Sequence, residues 1–203
     1  MKNQTLLVLL LCASVYLLGC KPQTAETTPA AAAVETAAPP AMTKQDSVKR
    51  GEYLVMMMGC HDCHSPKIFT QTGEMMYDTT RLLSGHPAGA PDPSLGKKGS
   101  TSPMEGIVFG GDLTSYIGPW GHSYSANLTP DVTGIGEWTF DMFKKAFTEG
   151  KYNGLDNGRP IMPPMPWQNF RHINNEDIHM IWTFLRSLKP ISNKVPAYTP
   201  PGK

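Results

Sequence analysis

Cysteine is scarce in this chain: there are four among 203 residues, and Cys12 and Cys20 stand in or at the end of the N-terminal apolar segment. A disulfide-stapled scaffold is therefore excluded, because it needs several paired cysteines spread through the fold. Charge of one sign is not in surplus either, with 18 Lys+Arg against 17 Asp+Glu. A nucleic-acid-binding protein would carry a basic excess, so that class is excluded as well. Alternating strand patterns are weak throughout and no internal repeat is present, which argues against a strand-dominated or repeat architecture.

The one long apolar run covers residues 6–18, behind Lys2. It is too short to be a comfortable membrane span and has the layout of an export signal. It closes with Leu17-Leu18-Gly19-Cys20, which resembles the lipobox of bacterial lipoproteins. The expectation is a lipoprotein signal peptide over 1–19, cleavage before Cys20, and acylation of the Cys20 thiol. An ordinary signal peptide with an incidental cysteine, or an uncleaved anchor, are the other readings. Each of them puts the folded part outside the cytoplasm. Residues 20–42 are rich in Ala, Thr and Pro without apolar periodicity, too polar to bury the surface that would offset their ordering entropy. They read as a flexible tether reaching about 25 Å on average. Loss of residues 1–19 removes only Lys2 and leaves 17 basic against 17 acidic residues.

The remaining two cysteines lie in Cys60-His61-Asp62-Cys63-His64. Cys-x-x-Cys-His is the attachment signature of c-type haem. Two thiols three residues apart can each add across a vinyl group of one porphyrin, and the His that follows is held where its imidazole can bind the iron. A redox Cys-x-x-Cys has no need of that His. A zinc site would need further ligands, with His86 and His122 as the available candidates. The expected cofactor is one covalent haem c on Cys60 and Cys63, with His64 as the proximal metal ligand.

From residue 43 onward about 160 residues remain, enough for one domain with a core of its own. Thr43-Lys44-Gln45-Asp46 has the form of a capping box, so a helix runs from there toward Gly59, with Val48, Val55, Met56 and Met57 as its apolar side and Met56, Met57 and Met58 as core filler. A second helix is predicted between Thr139 as N-cap and Gly150 as the terminating glycine, with Phe140, Phe143 and Phe147 at helical spacing. A third follows Asn174, with Ile178, Ile181, Trp182, Leu185 and Leu188 as a stripe before Pro190. The fold class is mainly α with little strand. Residues 67–125 form a long Gly/Pro-rich insert, too long to be idle in a compact domain, in which His86 and His122 read as turn or surface histidines.

Terminal helices around a loop-rich middle, one of them carrying Cys-x-x-Cys-His, resemble the class I cytochrome c fold, in which the first and last helices cross. Gly51 and Trp182 are the candidates for that contact. The sequences Arg50-Gly51-Glu52-Tyr53-Leu54-Val55, Leu83-Ser84-Gly85-His86-Pro87, Gly118-Pro119-Trp120-Gly121, Asn127-Leu128-Thr129-Pro130-Asp131, Gly134-Ile135-Gly136-Glu137-Trp138-Thr139 and Pro164-Met165-Pro166-Trp167 narrow the likeness. They resemble the cytochrome c domains of bacterial periplasmic alcohol and gluconate dehydrogenase cytochrome subunits. Those subunits usually carry three haem motifs and this chain carries one, which excludes a multi-haem wire within it.

The resemblance implies a distal ligand in Pro-x-Met-Pro-aromatic, which matches Met165 here. Met162 lies three residues earlier in the same proline-stiffened strap, and Met162 or a His is the competing choice. Trp120, Tyr124, Asn127, Trp138 and Arg159 stand where they would line the haem or hold its propionates, with core packing as the alternative for the aromatics. The function so implied is that of an electron carrier and not an enzyme. It would be a single-haem c-type cytochrome, lipid-anchored on the periplasmic side of a bacterial membrane, passing single electrons from a dehydrogenase donor to an oxidase or another cytochrome. The alternatives are an electron-acceptor subunit of a periplasmic dehydrogenase complex, or a haem peroxidase or sensor. No nucleic-acid partner is expected. One acyl chain alone binds membranes marginally, so the multiple chains of a lipoprotein would do the holding. Cys20→Ser is expected to move the protein from the membrane to the soluble periplasmic fraction on cell fractionation. Unchanged membrane association would identify an uncleaved anchor.

Overall fold

The helix α1, Lys44–Met57, starts as the capping box predicts. The Thr43 hydroxyl accepts from the Asp46 N–H, and the Asp46 carboxylate accepts from the Thr43 N–H. The structure is a computed structural model, described here for residues 42–91 and 106–201. The signal peptide, Cys20 and nearly all of the tether expected from the sequence lie outside the described residues. Among the described residues no helix is long and apolar enough to cross a membrane.

After α1 come a short helix α2 (Cys60–His64), an antiparallel hairpin of β1 (Lys67–Phe69) and β2 (Met75–Tyr77), and a three-stranded antiparallel sheet of β3 (Val108–Phe109), β4 (Ser115–Gly118) and β5 (Gly121–Tyr124). Then follow α3 (Phe140–Glu149), a 3-10 turn (Tyr152–Gly154), the short α4 (Trp167–Phe170) and α5 (Asn175–Ser187). The caps of α3 and α5 fall on Thr139 and Asn174, and Gly150 ends α3 with a left-handed φ of 66°. The little strand expected falls within the insert, whose described residues form five strands of two to four residues, too short to show an alternating pattern.

α1 packs against α5. The buried cluster holds Val55, Leu83, Ile135, Phe143, Phe147, Ile178, Ile181, Phe184 and Leu185, and each fully buried Ile or Leu contributes about 1.5–3 kcal/mol. Phe147 stacks between Phe143 at 5.5 Å and Phe170 of α4 at 4.7 Å. Arg50 Nη2 reaches Asp177 Oδ1 across the helix pair at 3.0 Å. The pair is partly exposed, so it contributes less than about 1 kcal/mol.

Two expectations are corrected. Met56 and Met57 are 65% and 67% exposed, because each is turned well away from the face that Gly51 and Val55 share four residues apart. Only Met58 packs against the core. The crossing partner of Gly51 is not Trp182: a Cβ on Gly51 would stand 2.7 Å from Phe184 Cβ and would collide with the Met180 carbonyl. Met180 and Phe184 are four residues apart and share a face, whereas Trp182 is turned toward Phe143 at 5.3 Å. An exposed helical Gly→Ala stabilises by about 0.5–1 kcal/mol. Gly51→Ala is expected to act in the opposite sense, destabilising by about 1–3 kcal/mol through overpacking, as read from the denaturant midpoint of unfolding.

Candidate haem-attachment site

The motif is presented by a sharp turn. Gly59, at φ 68°, separates α1 from α2, and a side chain there would be strained by the left-handed backbone. α2 is a single turn, so Cys60 and Cys63 stand on one face at three-residue spacing. Both thiols are free and half-buried. Burial pushes the Cys60 thiol up to about 12. It therefore stays protonated at neutral pH, unlike the low-pKa thiol of a disulfide exchanger. Burial raises the Tyr116 phenol of β4, with nearby Cys63 adding to the shift; its hydroxyl donates to the Leu113 carbonyl and lies 3.1 Å from Ser125 Oγ.

His64 is 8% exposed, and its Nδ1 lies 2.8 Å from the Ala126 carbonyl oxygen. A carbonyl only accepts, so Nδ1 carries the proton and Nε2 keeps its lone pair. Burial lowers the pKa of this imidazole, against the hydrogen bond to Ala126, which keeps it neutral. A neutral His oriented through Nδ1 by a backbone carbonyl is the usual arrangement of a metal-binding imidazole.

The cradle around His64 is built from backbone. Gly85 N–H donates to the His64 carbonyl at 2.8 Å, His86 N–H to Ser125 at 2.9 Å, and Leu128 N–H to Leu83 at 2.9 Å. These bonds lay Leu83-Ser84-Gly85-His86 beside Ala126-Asn127-Leu128. Gly85 has a φ of 77°, and a Cβ there would come within 2.5 Å of Ser125 and Ala126 backbone. Leu83, fully buried, also has a positive φ of 59°, a strained conformation for a branched residue. Ser65 Oγ accepts its N–H at 2.9 Å.

Sequence reasoning missed Asn193, which ties this cradle together. Its Nδ2 donates to the carbonyls of Ser84 and His86 at 2.7 and 2.9 Å, and its Oδ1 accepts from Ala88 N–H at 2.8 Å. Nothing in a lone Asn after the last helix signals that role. Asn127 is committed in the same way, with Oδ1 accepting from Thr129 N–H at 2.9 Å and Nδ2 donating to Ile191 O at 2.8 Å. Its amide is thus committed within the protein. Trp120 Nε1–H and Tyr124 OH are likewise engaged inside the protein, with Ser123 Oγ at 3.0 Å and His122 Nδ1 at 2.9 Å. Trp138 packs on the core. Arg159 lies over the Tyr152 ring at 3.8 Å and donates to Pro160 O at 2.9 Å.

The two histidines of the insert are not surface residues. His86 is 3% exposed with Nδ1 2.7 Å from Thr114 Oγ1, and His122 is 9% exposed. Both pack against the Tyr124 ring, at 5.0 and 4.2 Å. Among the described residues no three His, Cys, Asp or Glu side chains gather to hold a metal ion, so the zinc alternative has no completed ligand set there. The strap 159–167 puts Met162 and Met165 at intermediate burial, but Met165 is the one that packs against the core cluster, which Cys60 also touches.

The side chains thus fit a covalently held haem: two reduced thiols on one helical face, a neutral imidazole with Nε2 available, and a thioether at the core surface. No protein-family model matches the chain. It is 29% identical over 147 residues to the gluconate 2-dehydrogenase cytochrome c subunit of Pantoea cypripedii, covering 71% of this chain and 24% of that protein. It is 28% identical over 153 residues to the cytochrome c subunit of the quinone alcohol dehydrogenase of Gluconobacter oxydans, covering 73% and 23%. This chain resembles dehydrogenase cytochrome c subunits. A shorter stretch of 80 residues, 39% of this chain, is 40% identical to a subunit of the nicotinate dehydrogenase of Pseudomonas putida, of which it covers 6%. The chain spans about a quarter or less of the length of these curated relatives.

Proposed function

We propose that this chain is a single-haem c-type cytochrome that accepts and passes on single electrons, and that it is not itself an enzyme. The observation that carries the reading is the His64 imidazole, buried, neutral, and turned by Ala126 so that Nε2 is left for iron, directly after two reduced thiols on one helical turn. Cys60 and Cys63 would hold the haem by thioether bonds, and His64 and Met165 would hold its iron. When bound, haem supplies a one-electron iron couple, and His/Met ligation raises its potential. Were His64 and Met165 both to hold the iron, no side of it would be left open to a substrate. The buried cradle over His64 keeps water and competing donors from its ring. The cytochrome works on the periplasmic side of a bacterial membrane, anchored through Cys20, and its partners are a dehydrogenase donor and an oxidase or another cytochrome.

A second reading is favoured by the names of the relatives, which are subunits of dehydrogenases: the chain is the electron-acceptor subunit of such a complex. Purification without detergent exchange distinguishes the two, since a stable complex brings a dehydrogenase activity with the cytochrome and a free carrier does not.

Acid–acetone treatment is expected to leave haem on the polypeptide, and Cys60→Ala/Cys63→Ala to abolish that attachment. Clean extraction from the wild-type chain would end the haem c assignment. For the distal ligand, Met165→Ala is expected to remove the Met-to-iron charge-transfer band of the oxidised protein, lower the potential, and admit carbon monoxide to the reduced form. Met162→Ala should change these little. Ready carbon monoxide binding by the wild type would instead favour a sensor or peroxidase.

A further inference from the structure

Both ends of the strap 159–167 are fastened to the segment that follows α3. Tyr152 N–H donates to Arg159 O at 2.9 Å, and Ile161 N–H to Gly150 O at 2.7 Å. The Trp167 ring closes the far end by lying against Gly150, whose Cβ, if present, would stand 2.7 Å from the indole nitrogen. Between these points lies Met162-Pro163-Pro164-Met165, which has little to anchor it, since proline has no N–H. Among the described residues, one side chain hydrogen-bonds to this stretch. Ser123 of β5 donates from Oγ to the Pro163 carbonyl at 2.6 Å.

That hydroxyl is not free to turn. Trp120 Nε1–H, which can only donate, occupies the Ser123 oxygen at 3.0 Å, and the Pro163 carbonyl can only accept. The Trp120 carbonyl in turn accepts from Tyr198 OH at 2.5 Å, and the Tyr198 ring lies 4.9 Å from the Arg159 guanidinium. The circuit therefore leaves the strap at Pro163 and returns to it at Arg159. The tail that carries Tyr198 is itself paired to β5, with His122 N–H to Thr199 O at 2.8 Å and Thr199 N–H to His122 O at 3.0 Å.

We infer that Ser123, oriented by Trp120 and backed by Tyr198, is a positioning residue that holds the strap so that Met165 stays on the iron. This rests on the proposed assignment of Met165 as the distal ligand. A thioether is a weak ligand, and the fraction of time it spends bound depends on how far the strap is held in place. Any external ligand must compete with that bound fraction, so its apparent affinity reports the strap equilibrium.

The test is imidazole titration of the oxidised holoprotein, followed by loss of the Met-to-iron charge-transfer band. Ser123→Ala deletes a buried donor and releases the Pro163 carbonyl, and should tighten apparent imidazole binding by about tenfold. Ser123→Thr keeps the hydroxyl on a strand and should restore the wild-type affinity. Tyr198→Phe, at the half-buried tail, should shift the affinity in the same direction by less, and serves if Ser123→Ala folds poorly. Wild-type imidazole affinity in both Ser123→Ala and Tyr198→Phe, with Met165→Ala still abolishing the band, would overturn the clasp and leave the ligand assignment standing. A band that persists in Met165→Ala would overturn the ligand assignment and the clasp with it.

Discussion

The hydrogen bond from His64 Nδ1 to the Ala126 carbonyl is the contact on which the arrangement depends. It joins residues 62 positions apart, and it decides which nitrogen of the ring carries the proton. The neighbouring backbone bonds all serve the same end. Gly85 caps the His64 carbonyl, His86 pairs with Ser125, Leu128 pairs with Leu83, and Asn193 clamps Ser84 and His86 from the C-terminal segment. A buried imidazole with an unmatched polar neighbour would cost a few kcal/mol. Here the cradle satisfies it, and the positive φ of Leu83 is tolerated in return.

The insert gives the site its surroundings. β4 places Tyr116, bonded to Ser125, near Cys63, and β5 brings Ser123 to the strap with Met165. The hairpin β1–β2 is fastened to α2: Tyr77 OH donates to Asp62 Oδ1 at 2.6 Å, and Lys67 Nζ donates to the Asp62 carbonyl. Segments that read as Gly/Pro-rich connection thus touch the Cys60–His64 turn and the 159–167 strap.

Much of the helical frame was legible in the sequence because it is written locally. Caps at Thr43, Thr139 and Asn174 and the terminating Gly150 each depend on residues within one turn. The roles of individual residues on those helices were less legible. Met56 and Met57 are apolar yet exposed, and Trp182 yielded the Gly51 contact to Phe184, because helical phase and the angle of the crossing decide which apolar residue faces the partner. The insert strands escaped notice, since runs of two to four residues carry no readable period.

For the candidate site, the sequence by itself determined which groups are available: two thiols, a following His, and a Pro/Met strap are properties of spacing along the chain. What only the tertiary structure decided is how those groups are held. The acceptor for His64 is a backbone carbonyl, which any residue type supplies. The clamp on the cradle is a single Asn far along the chain, and the restraint on the strap is a Ser on a four-residue strand. Contacts of this kind depend on which distant backbone atoms come to lie within about 3 Å of one another. No local pattern encodes that; it is set when the helix pair and the insert pack.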